Sequence, residues 1–296
     1  MFRAIARIGF VVLAAVPMMA AAIPAEEEHR DSTAWPGQAS APRSQSNDSW
    51  CDEAQRNDDR EDRETFCEVR DFTLGAGAVA VETSNGSIRV TGERRSDVLV
   101  VARVVTYARD AARAREIARD IAVTTSGTIR ATGPRTANRE GWHVGFRIQA
   151  PEATDLDLVS SNGSLGVTGV RGRLRMRTSN GSIALTDVAG DVQADTSNGS
   201  VNAILSGTRW DGTGLDVSTS NGSVRLTMPE NYNARLTAGT SNGTIRVGFP
   251  ITVQGELRRN RDIDTTIGSG GPPIRVRTSN GSVSIGRPGE RDRDRR

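Results

Sequence analysis

Lysine is absent from this chain of 296 residues, and arginine supplies all 38 of its basic side chains. Its absence excludes a Schiff-base lysine, a Walker-type phosphate lysine and a Ser-x-x-Lys pair. Histidine is scarce as well, because only His29 and His143 occur, and the sequence has no Gly-x-Ser-x-Gly motif. Nucleophilic catalysis needs a base beside a serine or cysteine, so we expect no enzyme activity and no cofactor.

Aromatic residues make up only 4% of the chain, which leaves little surface on which sugar rings could stack. Asp155 and Asp157 share one strand face, as do Asp191 and Asp195, and glycosidases use such carboxylate pairs. We interpret both pairs as solvated acids and keep a polysaccharide-active β-helix enzyme as an alternative. The formal net charge of +2 and the lack of a recognition motif predict no nucleic-acid partner.

Long apolar runs are limited to one, Ile8 to Ala22, which follows Arg3 and Arg7 and precedes small residues. This pattern predicts a signal peptide over residues 1–25, since about 15 apolar residues are fewer than the ~20 that span a bilayer. A retained membrane anchor is the alternative. We expect an exported protein in the periplasm, at the cell surface or outside the cell, with no transmembrane segment after cleavage.

Cysteine is nearly absent, since Cys51 and Cys67 are the only two. In an exported protein this even number predicts a disulfide. The short loop that it closes would stabilise the segment at 50–70 by about 3 kcal/mol. Polar residues flank the folded part, so we also predict a disordered linker at 26–49 and a disordered charged tail at 287–296.

Most of the remaining chain repeats one motif, Asn-Gly flanked by serine or threonine, mostly at intervals of 18 to 23 residues. Its seven copies are Asn85-Gly86, Asn162-Gly163, Asn180-Gly181, Asn198-Gly199, Asn221-Gly222, Asn242-Gly243 and Asn280-Gly281. Apolar residues occupy the positions six and four before each asparagine, and three and five after it. A period of two is typical of a strand with one buried face. Each unit is therefore predicted to be a strand, a corner and a second strand.

The Asn-Gly pair predicts a tight corner, because both residues tolerate positive φ. Two assemblies of the units fit this pattern. An antiparallel meander would use each Asn-Gly as a hairpin turn, whereas a β-solenoid would stack coils of about 18–21 residues in parallel. The near-identity of the units favours the solenoid, over residues 71–286. Each copy also matches the Asn-x-Ser/Thr glycosylation acceptor, but we interpret the motif as a structural corner.

Two interruptions separate the regular repeats. Asp97–Thr106 is predicted to be a buried strand, and the alanine- and arginine-rich residues 107–121 an inserted amphipathic helix. Val123–Ala131 resembles a repeat that has lost its asparagine, and 142–148 alternates like a strand. Residues 250–273 are interpreted as a strained or looped-out coil around Asn260 that ends in a loop.

Outward strand positions beside the corners carry several arginines. They are Arg89, Arg177, Arg225, Arg246 and Arg277. If the units stack, these residues would form a discontinuous basic strip that contacts anionic polymers such as lipopolysaccharide. The alternative is that the arginines only keep a flat sheet soluble and resist aggregation.

The Trp50-Cys51 and Cys67-Glu-Val-Arg70 segments, the helical insert and the Thr-Ser-Asn-Gly-Ser array together resemble the bacterial putative adhesin family. That resemblance covers roughly residues 70–286 and implies an exported, β-solenoid-like domain at the envelope or cell surface. It carries no catalytic residues to transfer. The function hypothesis is a non-enzymatic adhesin that contacts an anionic envelope polymer or a surface protein. An envelope scaffold or regulator that binds a protein through the helical insert is the alternative.

Overall fold

The computed structural model describes residues 50–52, 63–250 and 262–289. The predictions for the signal peptide, the linker, residues 290–296 of the tail and the coil around Asn260 lie outside these ranges. Within them, twenty strands form two ten-stranded sheets, which we name sheet A and sheet B, and one helix joins two strands. The all-β prediction is therefore confirmed.

The strands of each sheet follow one another in a spatial order that differs from the chain order. Sheet A contains β1 (Glu64–Gly75), β4 (Asp97–Ala108), β7 (Gly141–Pro151), β3 (Ile88–Glu93), β9 (Leu165–Thr168), β11 (Ile183–Thr186), β13 (Val201–Ile204), β15 (Val224–Thr227), β20 (Val283–Gly286) and β17 (Ile245–Val247). Sheet B contains β18 (Asp262–Ile267), β16 (Ala234–Asn242), β19 (Pro273–Asn280), β14 (Gly214–Asn221), β12 (Ala189–Asn198), β10 (Arg171–Asn180), β8 (Leu156–Asn162), β2 (Val79–Asn85), β6 (Ile129–Thr132) and β5 (Ala122–Thr124).

Each repeat gives one strand to sheet B, turns at its Asn-Gly pair, and gives the next strand to sheet A. The apolar side chains that alternate along the two strands point inward. In one repeat Leu174, Met176, Ile183 and Leu185 are each fully buried. The inward residues of both sheets belong to one hydrophobic cluster, so the core lies between the sheets because the period of two places every second side chain there.

Consecutive repeats pair in parallel and in register. Leu174 lies opposite Val192, and Asn180 lies opposite Asn198. An antiparallel meander would pair the two strands of one hairpin with each other, so that alternative is wrong for the repeats. Parallel stacking places like residues beside like residues in neighbouring repeats.

The last repeats do not stack in chain order. The repeat of Asn280 lies between those of Asn221 and Asn242, because β19 pairs with both β14 and β16, and β20 pairs with both β15 and β17. Strand β18 runs antiparallel along the other side of β16. The interpretation of this region as a looped-out coil is therefore wrong for residues 262–267, where the alternating Ile263 and Thr265 are buried against the core.

The loop at 268–272 connects β18 with β19, which lie on opposite sides of β16. Asn233, directly before β16, holds this loop. Its Oδ1 accepts hydrogen bonds from the Ser269 backbone N at 2.7 Å and from the Ser269 hydroxyl at 3.0 Å. Its Nδ2 donates to the carbonyl of Thr208 at 3.0 Å. The Asn233 side chain therefore ties the loop of this crossing to the strand that it passes and to Thr208.

At the other end, the insert extends the sheets beyond the first repeat. Strand β4 lies antiparallel between β1 and β7, and β7 runs parallel to β3. Helix α1 (Ala111–Arg119) begins after Asp110, whose carboxylate caps the backbone N of Arg113 at 2.8 Å. Its buried face consists of Ala114, Ile117 and Ala118. The helix is thus shorter than the predicted span of 107–121.

Residues 122–132 form an antiparallel hairpin, β5 to β6, with Val123 opposite Ala131. The interpretation of this segment as a repeat without its asparagine is therefore wrong. Gly127 at its turn has φ of 74°, and no atom lies within 4 Å of the position that a Cβ would occupy there. A glycine in the left-handed region permits a tight reversal, and this segment reverses instead of crossing to sheet A.

The predicted disulfide between Cys51 and Cys67 is confirmed. It joins the short helical turn at 50–52 to the edge strand β1. Trp50 is 7% exposed, and the guanidinium groups of Arg103 and Arg147 lie 4.5 Å and 3.9 Å from its ring. Arg103 also donates to the carbonyl of Trp50 at 2.8 Å. Cation–π contacts and the disulfide together fasten this segment to sheet A.

Candidate interaction surfaces

The asparagines of the seven repeats form a continuous ladder of amide side chains. In six of the seven, Nδ2 donates to the Oδ1 of the asparagine in a neighbouring repeat at 2.9–3.0 Å, and Asn85, at the end of the ladder, only accepts. The order along the ladder is Asn85, Asn162, Asn180, Asn198, Asn221, Asn280 and Asn242. Like side chains that satisfy one another explain why the same residue recurs at every corner.

The corner glycines allow neighbouring repeats to approach closely. A Cβ on Gly181 would lie 2.1 Å from the carbonyl oxygen of Gly163, and one on Gly199 would lie 2.0 Å from that of Gly181. The predicted reason, positive φ at both residues, is wrong, because no corner asparagine has positive φ, and among the corner glycines only Gly86 and Gly281 do.

The threonine or serine two residues before each asparagine is buried and completes the corner. Thr196, for example, donates its hydroxyl to the carbonyl of Gly181 at 2.8 Å, and Thr219 bonds Gly199 at the same distance. At the corners the asparagine and the threonine or serine therefore form hydrogen bonds with the neighbouring repeat, and the glycine allows the close approach of the two backbones. These contacts join one repeat to the next, and away from the corners the repeats present the outer faces of the two sheets.

The predicted arginine strip is divided between the two sheets. Arg89, Arg225 and Arg246 lie on sheet A, whereas Arg177 and Arg277 lie on sheet B. All five are exposed. Because one strand of each repeat belongs to each sheet, residues before and after a corner point away from opposite sides of the core. The five arginines therefore do not form one strip.

Apart from one acid, the charged residues on the outer face of sheet A from β3 to β17 are arginines. One aligned row across it contains Arg89, Gly166, Ala184, Asn202, Arg225, Ser284 and Arg246. The seven strands include a single acid, Glu93, at the end of β3. Gln149 donates to that carboxylate at 2.9 Å. This face is basic, and small or neutral residues separate its arginines.

Sheet B presents outward charges of both signs on neighbouring strands. Strand β10 carries Arg173, Arg175 and Arg177, and the adjacent β12 carries Asp191 and Asp195. Arg173 and Arg175 were not among the residues predicted to bind. Counting back in steps of two from the position three before the corner asparagine places these three arginines and two aspartates on the outward face. The sequence does not show that basic and acidic strands are neighbours, because that depends on the strand order in the sheet.

The candidate catalytic residues lie apart. His143 is on β7 of sheet A, opposite Val105, and is partly buried. Asp157, Asp191 and Asp195 point outward from sheet B, so the structure does not bring the histidine to them. Over residues 50–52, 63–250 and 262–289 no cluster of three histidine, cysteine or acidic side chains has the spacing of a metal site.

Two side chains with shifted pKa values belong to the scaffold. A hydrogen bond from Arg113 lowers the pKa of Glu140 and ties helix α1 to the loop before β7. Burial raises the pKa of Tyr232 to about 12. Neither residue lies on the outer face of a sheet repeat, so both shifts reflect packing and ion pairing.

Parallel strands stacked in two sheets, with corners that bond repeat to repeat, define an all-β repeat protein. The chain belongs to the Toastrack DUF4097 family, whose model matches residues 61–286. No curated protein matches the chain. In the described ranges no helix has both the length and the apolar character that crossing a membrane requires.

Solved structures with a similar arrangement come from several bacteria. A putative cell adhesion protein from Clostridium sporogenes is 11% identical, with 76% of this chain and 100% of that chain covered and a TM-score of 0.38. A putative adhesin from Bacteroides fragilis is 12% identical, with coverage of 75% and 97% and a TM-score of 0.37. A putative lipid binding protein from Parabacteroides distasonis is 10% identical, with coverage of 75% and 96% and a TM-score of 0.27.

Proposed function

We propose that the protein is an exported, non-enzymatic β-solenoid whose sheet A face contacts an anionic polymer of a cell envelope, as an adhesion module does. One observation carries the proposal: Arg89, Arg225 and Arg246 lie in register on a seven-strand face with a single acid at its margin. Guanidinium groups recognise carboxylate, phosphate and sulfate oxygens. An anionic chain laid across these strands would meet no opposing charge along the row.

The spacing of the arginines suits an extended ligand. Strands in a sheet lie about 4.8 Å apart, which separates Arg89 from Arg225 by ~19 Å and Arg225 from Arg246 by ~10 Å. An exposed charge pair is worth at most about 1 kcal/mol. A single anionic group would therefore bind weakly, whereas a polymer that reaches all three arginines adds their contacts.

The helical insert is a less suitable binding element. Arg113 pairs with Glu116 at 2.8 Å and with Glu140 at 3.2 Å. The guanidinium of Arg115 lies 5.8 Å from the centre of the Phe66 ring. A protein partner that bound these two helix arginines would have to displace their contacts with the chain itself.

The proposal is tested by binding to heparin, with neutral dextran of matched length as the reference polymer. At low salt we expect binding to heparin alone, and the Arg89→Glu/Arg246→Glu variant should bind at least about tenfold more weakly, equivalent to about 1.4 kcal/mol. High salt should remove the binding, because ions screen exposed charges. Isothermal titration calorimetry measures the affinity of the wild type and the variant at low and at high salt.

The matched control is Arg130→Glu/Arg173→Glu, which changes the net charge equally on exposed positions of sheet B. It should retain most of the heparin affinity. Equal weakening by both variants would mean that only net charge matters, and a wild-type protein that does not distinguish heparin from dextran would refute the proposal.

A further inference from the structure

The outward charges of sheet B follow a regular order across six neighbouring strands. In spatial order these strands are β18, β16, β19, β14, β12 and β10. Their charges are acidic, basic, basic, acidic, acidic and basic. The charged residues, taken in the same order, are Asp262 and Asp264; Arg235; Arg275 and Arg277; Asp216; Asp191 and Asp195; Arg171, Arg173, Arg175 and Arg177. Arg171 begins β10, outside the three rows described below, and pairs with Asp211 at 2.8 Å. About the midpoint of the six strands, between β19 and β14, each basic strand has an acidic counterpart at the same distance on the other side.

The strand register arranges these residues in three rows across the face. The rows are Asp262, Gly239, Arg277, Ser218, Asp195 and Arg177; Asp264, Thr237, Arg275, Asp216, Gln193 and Arg175; and Thr266, Arg235, Pro273, Gly214, Asp191 and Arg173. Small or neutral residues fill the positions between the charges. Two such faces could therefore approach closely around their charged side chains.

We propose that this face binds a second copy of the chain about a two-fold axis that runs parallel to the strands between β19 and β14. Such an axis lays β19 over β14 of the second copy, β16 over β12, and β18 over β10. Rows remain aligned, because a rotation about an axis along the strands leaves positions along the strands unchanged. The interface is isologous, so every contact occurs twice.

The aligned rows bring opposite charges together. Asp262 and Asp264 meet Arg177 and Arg175 of the second copy, Arg235 meets Asp191, and Arg275 meets Asp216. The remaining positions pair a charged residue with a neutral one or two neutral residues, so no like charges face each other. An axis one strand away, between β14 and β12, would instead lay Arg275 and Arg277 over Arg175 and Arg177, which repel.

These charges are available because few of them pair within one copy. Of the residues in the three rows, only Arg235 and Asp264 form an ion pair in the described parts of the chain, at 3.3 Å, and both are exposed. That pair would exchange partners in the dimer. Arg275 and Asp216, next to the axis, have no such competing partner among the described residues, although they lie side by side on neighbouring strands.

The size of the face predicts a weak dimer. Six strands at ~4.8 Å and three rows at ~6.8 Å cover about 25 Å by 15 Å, which is smaller than the surface that each partner contributes to a standard interface, about 800 Å². The dimer should therefore form at high micromolar concentration and dissociate as salt rises. Sheet A remains exposed on both copies, so dimerisation is compatible with the proposed polymer binding but does not depend on it.

The test is sedimentation velocity of the whole protein from about 10 to about 500 µM, at low and high salt. The single variants Arg275→Asp and Asp216→Arg should each weaken the dimer at least about tenfold, because each places like charges together twice. The double variant R275D/D216R restores opposite charges and should return the dissociation constant to within about threefold of wild type. Thermal unfolding followed by circular dichroism checks that the variants fold.

Asp157→Arg is the matched control, since Asp157 lies in the same row but on β8, outside the six strands. It should leave the dimer unchanged, as should Arg89→Glu/Arg246→Glu on sheet A. A wild-type protein that stays monomeric to about 500 µM would overturn the proposal. So would a dimer insensitive to both single variants, a double variant without rescue, or a control that weakens the dimer as much as Arg275→Asp.

Discussion

At the scale of single residues, the corner motif is explained by the neighbouring repeat. Thr196 bonds the carbonyl of Gly181, Asn198 bonds Asn180, and Gly181 leaves room for the carbonyl of Gly163. A hairpin turn would also favour Asn-Gly, but for a different reason, because both residues of such a turn adopt positive φ. Local chemistry alone therefore predicted where the chain turns but gave the wrong cause for the glycine.

Gly181→Ala should destabilise the protein, although the backbone there does not require glycine. The added Cβ would overlap the backbone of Gly163, with its carbonyl oxygen 2.1 Å away, and neither strand can move without breaking its pairing. We expect a loss of at least about 2 kcal/mol in the free energy of unfolding, measured by urea denaturation.

Gly166→Ala is the matched control for this steric effect. Gly166 lies on β9, where a Cβ would meet only the Arg89 side chain at ordinary contact distances of 3.7–3.8 Å. An alanine there should leave stability unchanged or raise it by up to about 1 kcal/mol, because it restricts the unfolded chain. If both variants behaved alike, the close approach of backbones would not be what selects glycine at the corner.

At the scale of elements, the two sheet ends are built differently from the repeats between them. In sheet A the antiparallel pair β1 and β4 lies at one end of the parallel strands. In sheet B the antiparallel strand β18 lies at the opposite end of the stack. The segment at 50–52 and its disulfide fasten to β1, which is an edge strand. Covering or fixing edges limits pairing with other chains.

Removing the disulfide should lower stability. The bridge spans 16 residues of sequence, and closing a loop of this size restricts the unfolded chain by about 3 kcal/mol. The Cys51→Ser/Cys67→Ser variant should lose about this amount in urea unfolding, and a reductant should shift only the wild type. Equal unfolding midpoints for wild type and variant would show that the bridge adds nothing to the folded stack.

At the scale of the whole described fold, spatial order and chain order diverge. Strands β19 and β20 come last in the chain but each has a neighbour on both sides, whereas β17 precedes them and forms the edge of sheet A. Interior strands lose their hydrogen bonds only when the stack opens, while edge strands open locally.

Hydrogen–deuterium exchange followed by mass spectrometry tests this order. Peptides that cover 273–286 should exchange as slowly as peptides from β14 and β15, and the peptide containing Ile245–Val247 should exchange faster. Protection that decreased steadily towards the end of the chain, with 273–286 least protected, would contradict the insertion of the last repeat.

The sequence by itself determined the strands of the seven repeats, their inward residues, the corner positions and the disulfide. Each follows from local rules: a period of two, a turn-forming pair, or two cysteines in a chain predicted to be exported. Only the tertiary structure decided that the repeat of Asn280 inserts before that of Asn242, that 122–132 reverses as a hairpin, and which charges share a face. These features depend on residues far apart in sequence, such as Arg275 beside Asp216 or Asn233 beside Ser269, and no local pattern specifies which strands become neighbours.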